Sequence, residues 1–166
     1  MNASAIIVSI PGLSLTKKDK VYLKKINPFG IILFDKNIEN KQQLISLIRD
    51  IKILLKRDVS FLVDQEGGRV QRLKEPIWDQ YISFQNIGYI FDNSQDIGKR
   101  VAFLTGSLIA DELSEVGINI NCSPVLDWTF SETHAVIGNR SFVTNHEKVS
   151  LLGMEMSKGI INGGCV

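Results

Sequence analysis

The run Gly30-Ile31-Ile32-Leu33-Phe34 carries no polar side chain, and this limits the fold more than any other feature. A strand with one wet face alternates apolar and polar residues. A strand that is apolar at every position is covered on both faces, as in a parallel sheet. Ala5-Ile6-Ile7-Val8, Val59–Val63 and Ile118–Cys122 read as three more strands. Between them lie helical patterns. Thr16 followed by Asp19 resembles a helix start, with Val21, Leu23 and Ile26 on a short helix that Asn27-Pro28 ends. Asn40 with Gln43 makes a capping box ahead of Leu44, Leu47, Ile48, Ile51, Leu54 and Leu55 at helical spacing. A long helix is expected over residues 94–116 with Val101, Leu104 and Leu108 on one face, and Gly117 as its stop. A last one is expected from about Asn145 to Asn162, with Val149, Leu152, Met156 and Ile160 facing inward. Residues 75–95 read as an irregular loop ordered by Trp78, Tyr81, Phe84, Tyr89 and Phe91, or as an aromatic platform for stacking a carbohydrate. The βα unit thus recurs roughly four times, which predicts an α/β fold on a parallel sheet.

The third strand delivers Asp64-Gln65-Glu66-Gly67-Gly68-Arg69-Val70-Gln71-Arg72. In α/β folds the carboxyl ends of strands are where ligands bind. Asp35-Lys36-Asn37 and Asp127 also follow strands, and in a (β/α) barrel all three clusters face one pocket. Arg140 can join them from its loop. Carboxylates and guanidinium groups in fixed geometry suit a polyhydroxylated ligand bearing amide or carboxylate groups. The same arginines, Arg69, Arg72 and Arg140, read equally as structural ion pairs at the rim. Gly67-Gly68 permits a phosphate cradle, but neither a GxGxxG pattern nor a Walker lysine accompanies it.

Composition excludes several classes. The chain has 166 residues, 44% of them apolar and 22% charged, with a net charge of +1. That fits one soluble domain and gives no reason to expect a nucleic acid or membrane partner. Charge is uneven, with 11 Lys and Arg against 5 Asp and Glu in residues 1–58, which reads as Lys-rich solvated helix faces. Cys122 and Cys165 form no metal-ligand pattern. Cys122, inside an apolar run, is expected to be a buried thiol. No metal or cofactor is expected. The N-terminal apolar run is too short for a signal peptide or a span, so a cytoplasmic location is expected. His146 reads as solvated at a helix start and His134 as a surface residue.

Four segments together resemble the N-terminal domain of glycoside hydrolase family 3, in the branch of bacterial β-N-acetylhexosaminidases of cell-wall recycling. They are Asp64–Arg72; Gly30-Ile31-Ile32-Leu33-Phe34-Asp35-Lys36-Asn37; Ser123-Pro124-Val125-Leu126-Asp127; and Ile137-Gly138-Asn139-Arg140-Ser141-Phe142. They occur in the family's order and span nearly the whole chain. The resemblance implies a TIM-type barrel. It implies removal of a terminal β-linked N-acetylglucosamine from peptidoglycan-derived muropeptides, by a retaining route through a glycosyl-enzyme. It implies that Asp64, Arg72 and Arg140 hold the sugar and that Asp127 shapes the pocket.

The chain departs from the family pattern at Lys36, where the family carries Arg, and at Asn139, where an acidic residue is common. The family's Lys-His-Phe-Pro-Gly-His-Gly segment has no counterpart, so no catalytic nucleophile or acid/base is assigned. The expectation is therefore a single partial domain, residues 1–166, forming about the first half of the barrel and inactive by itself. It is expected to self-associate or to need a C-terminal half. Two alternatives stand beside this: a non-catalytic sugar-binding or half-barrel assembly module, and a β-glucosidase of the same family.

Overall fold

A computed structural model describes residues 3–130, 132–142 and 145–166. The elements run β1 (Ser4–Val8), α1 (Lys17–Ile26), β2 (Pro28–Leu33), α2 (Lys41–Leu55), β3 (Ser60–Val63), α3 (Phe84–Asn93), α4 (Gln95–Val116), β4 (Ile120–Asn121) and α5 (His146–Asn162). The strands form one sheet in the order β1-β2-β3-β4, each pair parallel. A sheet that always advances in the same direction, without the reversal of a doubly wound fold, is the arrangement of a (β/α) barrel. Here it makes about half of one. The register aligns Leu33 with Val63 and Val63 with Asn121, so β2, β3 and β4 end level with one another and their following loops share a rim.

Local signals explain the helix boundaries. The Thr16 hydroxyl accepts from the Asp19 backbone N–H at 3.2 Å, and the Asp19 carboxylate accepts from the Thr16 N–H at 2.8 Å. That capping box satisfies two N–H groups no helix can pair itself. Asn40 Oδ1 likewise accepts from the Gln43 N–H at 2.9 Å. The Gln43 side chain, however, accepts from Glu39 rather than from Asn40, reaching one residue further back than a capping box does. Gly117 at φ 89° ends α4 in the left-handed conformation.

One reading of the sequence is corrected. Residues 84–93 are helical, capped by Ser83, whose hydroxyl accepts from the Asn86 N–H at 3.3 Å. Phe84, Ile87 and Phe91 are buried at helical spacing, and Trp78 and Tyr81 are buried too. These aromatics are core, not a stacking platform; Phe84 stacks on Phe142 with centroids 4.6 Å apart. In α4 the buried face is Ala102, Thr105, Gly106, Ile109, Ala110 and Leu113, whereas Leu104 and Leu108 are 45% and 55% exposed. Helix α5 lies so close that only small residues fit between the backbones. A Cβ on Gly106 would stand 2.4 Å from the Met156 carbonyl oxygen, and one on Gly159 would stand 2.0 Å from that of Phe103. The inward face of α5 matches expectation, with Val149, Leu152, Met156 and Ile160 buried.

Among the described residues no helix is long and apolar enough to cross a membrane. In β1, Ile6 and Ile7 point to opposite faces of the sheet, and both are exposed.

Candidate functional site

The rim is built around a buried amide clamp. Asn121, at the end of β4, accepts from the Gln65 N–H at 3.0 Å and donates to the Gln65 carbonyl at 2.9 Å. Both polar backbone atoms of the residue after Asp64 are thereby fixed to the neighbouring strand. The buried Gln65 side chain closes the loop at its other end. Its Oε1 accepts from the Arg72 and Leu73 N–H groups at 2.8 and 3.1 Å, and its Nε2 donates to the Leu73 carbonyl at 2.9 Å. Gln71, also buried, ties the loop to residues 79–81. A segment of nine mostly polar residues is therefore tied at both ends, because the buried amides of Gln65 and Gln71 find partners.

Gly67 and Gly68 have φ of 99° and 59°, and a Cβ on Gly67 would lie 2.5 Å from the Ile82 carbonyl oxygen. The turn thus needs glycine for both conformation and space. The N–H groups of Gly67 and Gly68 donate to the carbonyls of Val70 and Tyr81. They are engaged within the fold, which removes the phosphate-cradle alternative.

Two charge clusters result. On one side Arg72 donates to Asp64 at 3.2 Å, stands 3.9 Å from Asp35, and lies over the Phe34 ring at 5.9 Å. Lys74 also reaches Asp35, at 2.9 Å. On the other side Arg140 meets Glu66 as a two-pronged fork, Nε to Oε2 at 2.9 Å and Nη2 to Oε1 at 2.7 Å. Glu66 is 3% exposed. The hydrogen bonds from Arg140 to Glu66 push the guanidinium pKa up, with desolvation opposing and the charges of Asp127 and Asp64 adding to the rise. Asp64, Arg72 and Arg140 therefore share one field at the ends of β3 and β4, though each arginine pairs with a different acid. Asp127 is exposed; its backbone carbonyl accepts from the Ser141 hydroxyl at 2.7 Å, which ties the loop after β4 to the segment carrying Arg140.

Other residues fall outside this group. Asn37, from the cluster after β2, is fully buried. Its Nδ2 donates to the carbonyls of Ile10 and Gly12, and its Oδ1 accepts from the Phe34 N–H. It joins two loops and does not face a ligand. Exposed His134 accepts from the Val136 N–H at 3.1 Å, and His146 packs edge-on to Trp128. Glu66 was not among the residues expected in the site. The available signal was an acid directly before a glycine pair, with an arginine-bearing loop still to come.

Cys122 is exposed, against the expectation of a buried thiol. Strand β4 stops at Asn121. The Cys122 N–H donates to the Val63 carbonyl at 2.8 Å, so its side chain emerges on the rim beside Asp64. Partial desolvation raises its pKa, and the Asp64 charge and a hydrogen bond to that carboxylate raise it further. Cys165 is buried. Alkylation of the folded chain is accordingly expected to modify Cys122 and spare Cys165. Because the thiolate is the reactive form, the rate should reach its midpoint above the ordinary thiol pKa, and Asp64→Asn should move that midpoint down. Mass mapping of the labelled site against pH checks both; equal labelling of the two cysteines contradicts the geometry.

The arrangement presents fixed acceptors and donors along one rim, flanked by an aromatic ring. That is suited to gripping several hydroxyl or amide groups at once. Residues 7–165 match the family described as the glycosyl hydrolase family 3 N terminal domain. A β-hexosaminidase of Neisseria gonorrhoeae is 37% identical over 160 residues, which cover 96% of this chain and 44% of that protein. The crystal structure of NagZ from Neisseria gonorrhoeae in complex with N-trifluoroacetyl-D-glucosamine superposes with a TM-score of 0.91 at 36% identity, over 98% of this chain and 48% of that one. A family 3 β-N-acetylglucosaminidase from Paenibacillus gives a TM-score of 0.86 at 26% identity, covering 96% of this chain and 30% of that one. The chain spans about half the length of the curated relatives it matches.

Proposed function

The chain belongs to the glycosyl hydrolase family 3 N-terminal domain family, and from that membership we propose that it is the N-terminal, sugar-holding part of a β-N-acetylhexosaminidase barrel. The substrate is a glycan or muropeptide derived from peptidoglycan, bearing a terminal β-linked N-acetylglucosamine, and the compartment is the cytoplasm. Residues 1–166 form one partial domain. Asp64, Arg72 and Arg140 bind the sugar, and Asp127 borders the pocket. The observation that carries this reading is the convergence of Asp64, Arg72 and Arg140 at the ends of two adjacent strands. Neighbouring carboxylate and guanidinium groups match the hydroxyl pairs and the amide of such a sugar. The complete enzyme retains configuration through a two-step mechanism, which needs a nucleophile and an acid/base flanking the bond. In this chain both Asp64 and Glu66 are engaged by arginines, so neither is assigned to those tasks.

Calorimetry with N-acetylglucosamine tests the binding half of this reading. The chain is expected to bind, and Asp64→Asn to weaken binding by about tenfold, since it keeps the shape and removes the charge. The polypeptide of 166 residues is expected to release no chromophore from a chromogenic N-acetyl-β-glucosaminide. Binding that Asp64→Asn leaves intact contradicts the assigned site, and turnover contradicts the division of labour.

A further inference from the structure

The loops after β3 and β4 each send an arginine into the other. Arg140 reaches back to Glu66. In the opposite direction, Arg69 donates through Nε to Asn139 Oδ1 at 3.0 Å. Through Nη2 it donates to the carbonyls of Ala135 and Ile137, both at 3.3 Å, and to that of Val136. Every one of these acceptors is neutral. An exposed arginine held by four neutral acceptors is not accounted for by charge pairing. What it does is gather the three carbonyls that precede the 3-10 turn Gly138–Arg140. Gly138 has φ 42°, and a Cβ there would look directly at Arg69 Nη2 from 3.8 Å. The backbone therefore curls around the guanidinium, and the next side chain to leave that curl inward is Arg140.

We propose that Arg69, with Asn139 as its side-chain partner, is a positioning residue for the sugar site. Its fork fixes the backbone of residues 135–139, and so sets where Arg140 stands relative to Glu66 and Asp64. This rests on the sugar-binding role proposed above. Lysine cannot reproduce this in full, because its ammonium can serve the three carbonyls that Nη2 serves but not also Asn139 Oδ1, which Nε takes.

Hydrogen exchange and calorimetry on the chain, with Arg69→Ala and Arg69→Lys, test it. The amides of Ile137, Arg140 and Ser141, which donate to the carbonyls of His134, Ile137 and Gly138, are expected to exchange about tenfold faster or more in Arg69→Ala. Those in α4 and α5 should stay unchanged, which shows an intact fold. Affinity for N-acetylglucosamine should fall by about tenfold, and Arg69→Lys should recover neither property fully. Unaltered exchange at residues 137–141 overturns the proposal. So does a loosened loop with undiminished sugar affinity, which reduces Arg69 to a structural tie, or a lysine variant identical to the parent. Failure of the unmodified chain to bind sugar counts against the proposed function; the exchange measurement still decides whether Arg69 sets the loop.

Discussion

Arg140→Ala is expected to destabilise the chain by about 3–5 kcal/mol, the usual cost of leaving a buried charge without its partner. Glu66 is almost fully buried, and both of its oxygens accept from Arg140 alone among the described hydrogen bonds. Against a total stability of roughly 5–15 kcal/mol, this is enough to unfold a large fraction of the molecules at moderate denaturant. Adding Glu66→Gln to Arg140→Ala should recover part of the loss, because a neutral amide costs less to bury unpaired than a carboxylate. Urea unfolding of the two single variants and the double variant gives the order. An Arg140→Ala variant within about 1 kcal/mol of the parent rules out the buried-charge account. One practical result is that loss of sugar binding in Arg140→Ala alone is ambiguous, which is why Asp64→Asn is the cleaner probe of the pocket.

Gly159→Ala is expected to cost roughly 3 kcal/mol or more, at the upper end of overpacking. In an isolated helix the same change is favourable by about 1 kcal/mol, so the sign depends on the neighbour. The added Cβ would stand 2.0 Å from the Phe103 carbonyl oxygen and 2.9 Å from the Ser107 nitrogen. Both are backbone atoms of α4, so no side chain can swing away and the two helices must separate. A loss of that size corresponds to a fall of roughly 6–12 °C in Tm for a chain of this length. Gly12→Ala is the control, since nothing lies within 4 Å of its Cβ position; it should leave Tm unchanged. Equal Tm values for the two variants would mean that the helices are not in the contact described.

Legibility from sequence followed the range of the interactions involved. Thr16 with Asp19, Asn40 ahead of α2 and Gly117 after α4 were readable because their partners lie within four residues. Strands β2 and β3 were readable because burial on both faces leaves no alternation, whereas β1 is equally apolar although Ile6 and Ile7 are exposed. The buried face of α4 was not, because Leu104 and Leu108 outweigh Ala102, Gly106 and Ala110 in any hydrophobic pattern. Only the approach of α5 makes the small residues the inner ones. Helix α3 was obscured by its aromatics, which suit loop and core alike. At the site, Asp64, Arg72 and Arg140 were identified through the resemblance, and the structure brings them to one rim. The partner that Glu66 takes lies 74 residues away, so no local pattern announces it. Cys122 was misread because an apolar run does not disclose that its strand ends one residue earlier.

The exchange of arginines between the two loops also has a bearing on how the rim can be inherited or redesigned. Glu66 and Arg69 leave one loop, Asn139 and Arg140 the other, and each takes a side-chain partner across the gap, Arg140 adding a bond to Val136 of its own loop. Grafting either loop alone into a related scaffold would carry half of two locks. A combinatorial library that varies residues 64–72 while holding 135–142 constant should yield mostly misfolded members, whereas a library that shuffles the two segments as a matched pair should not. The rim is then a single module written in two distant stretches of the chain, and changes to it should be fixed together.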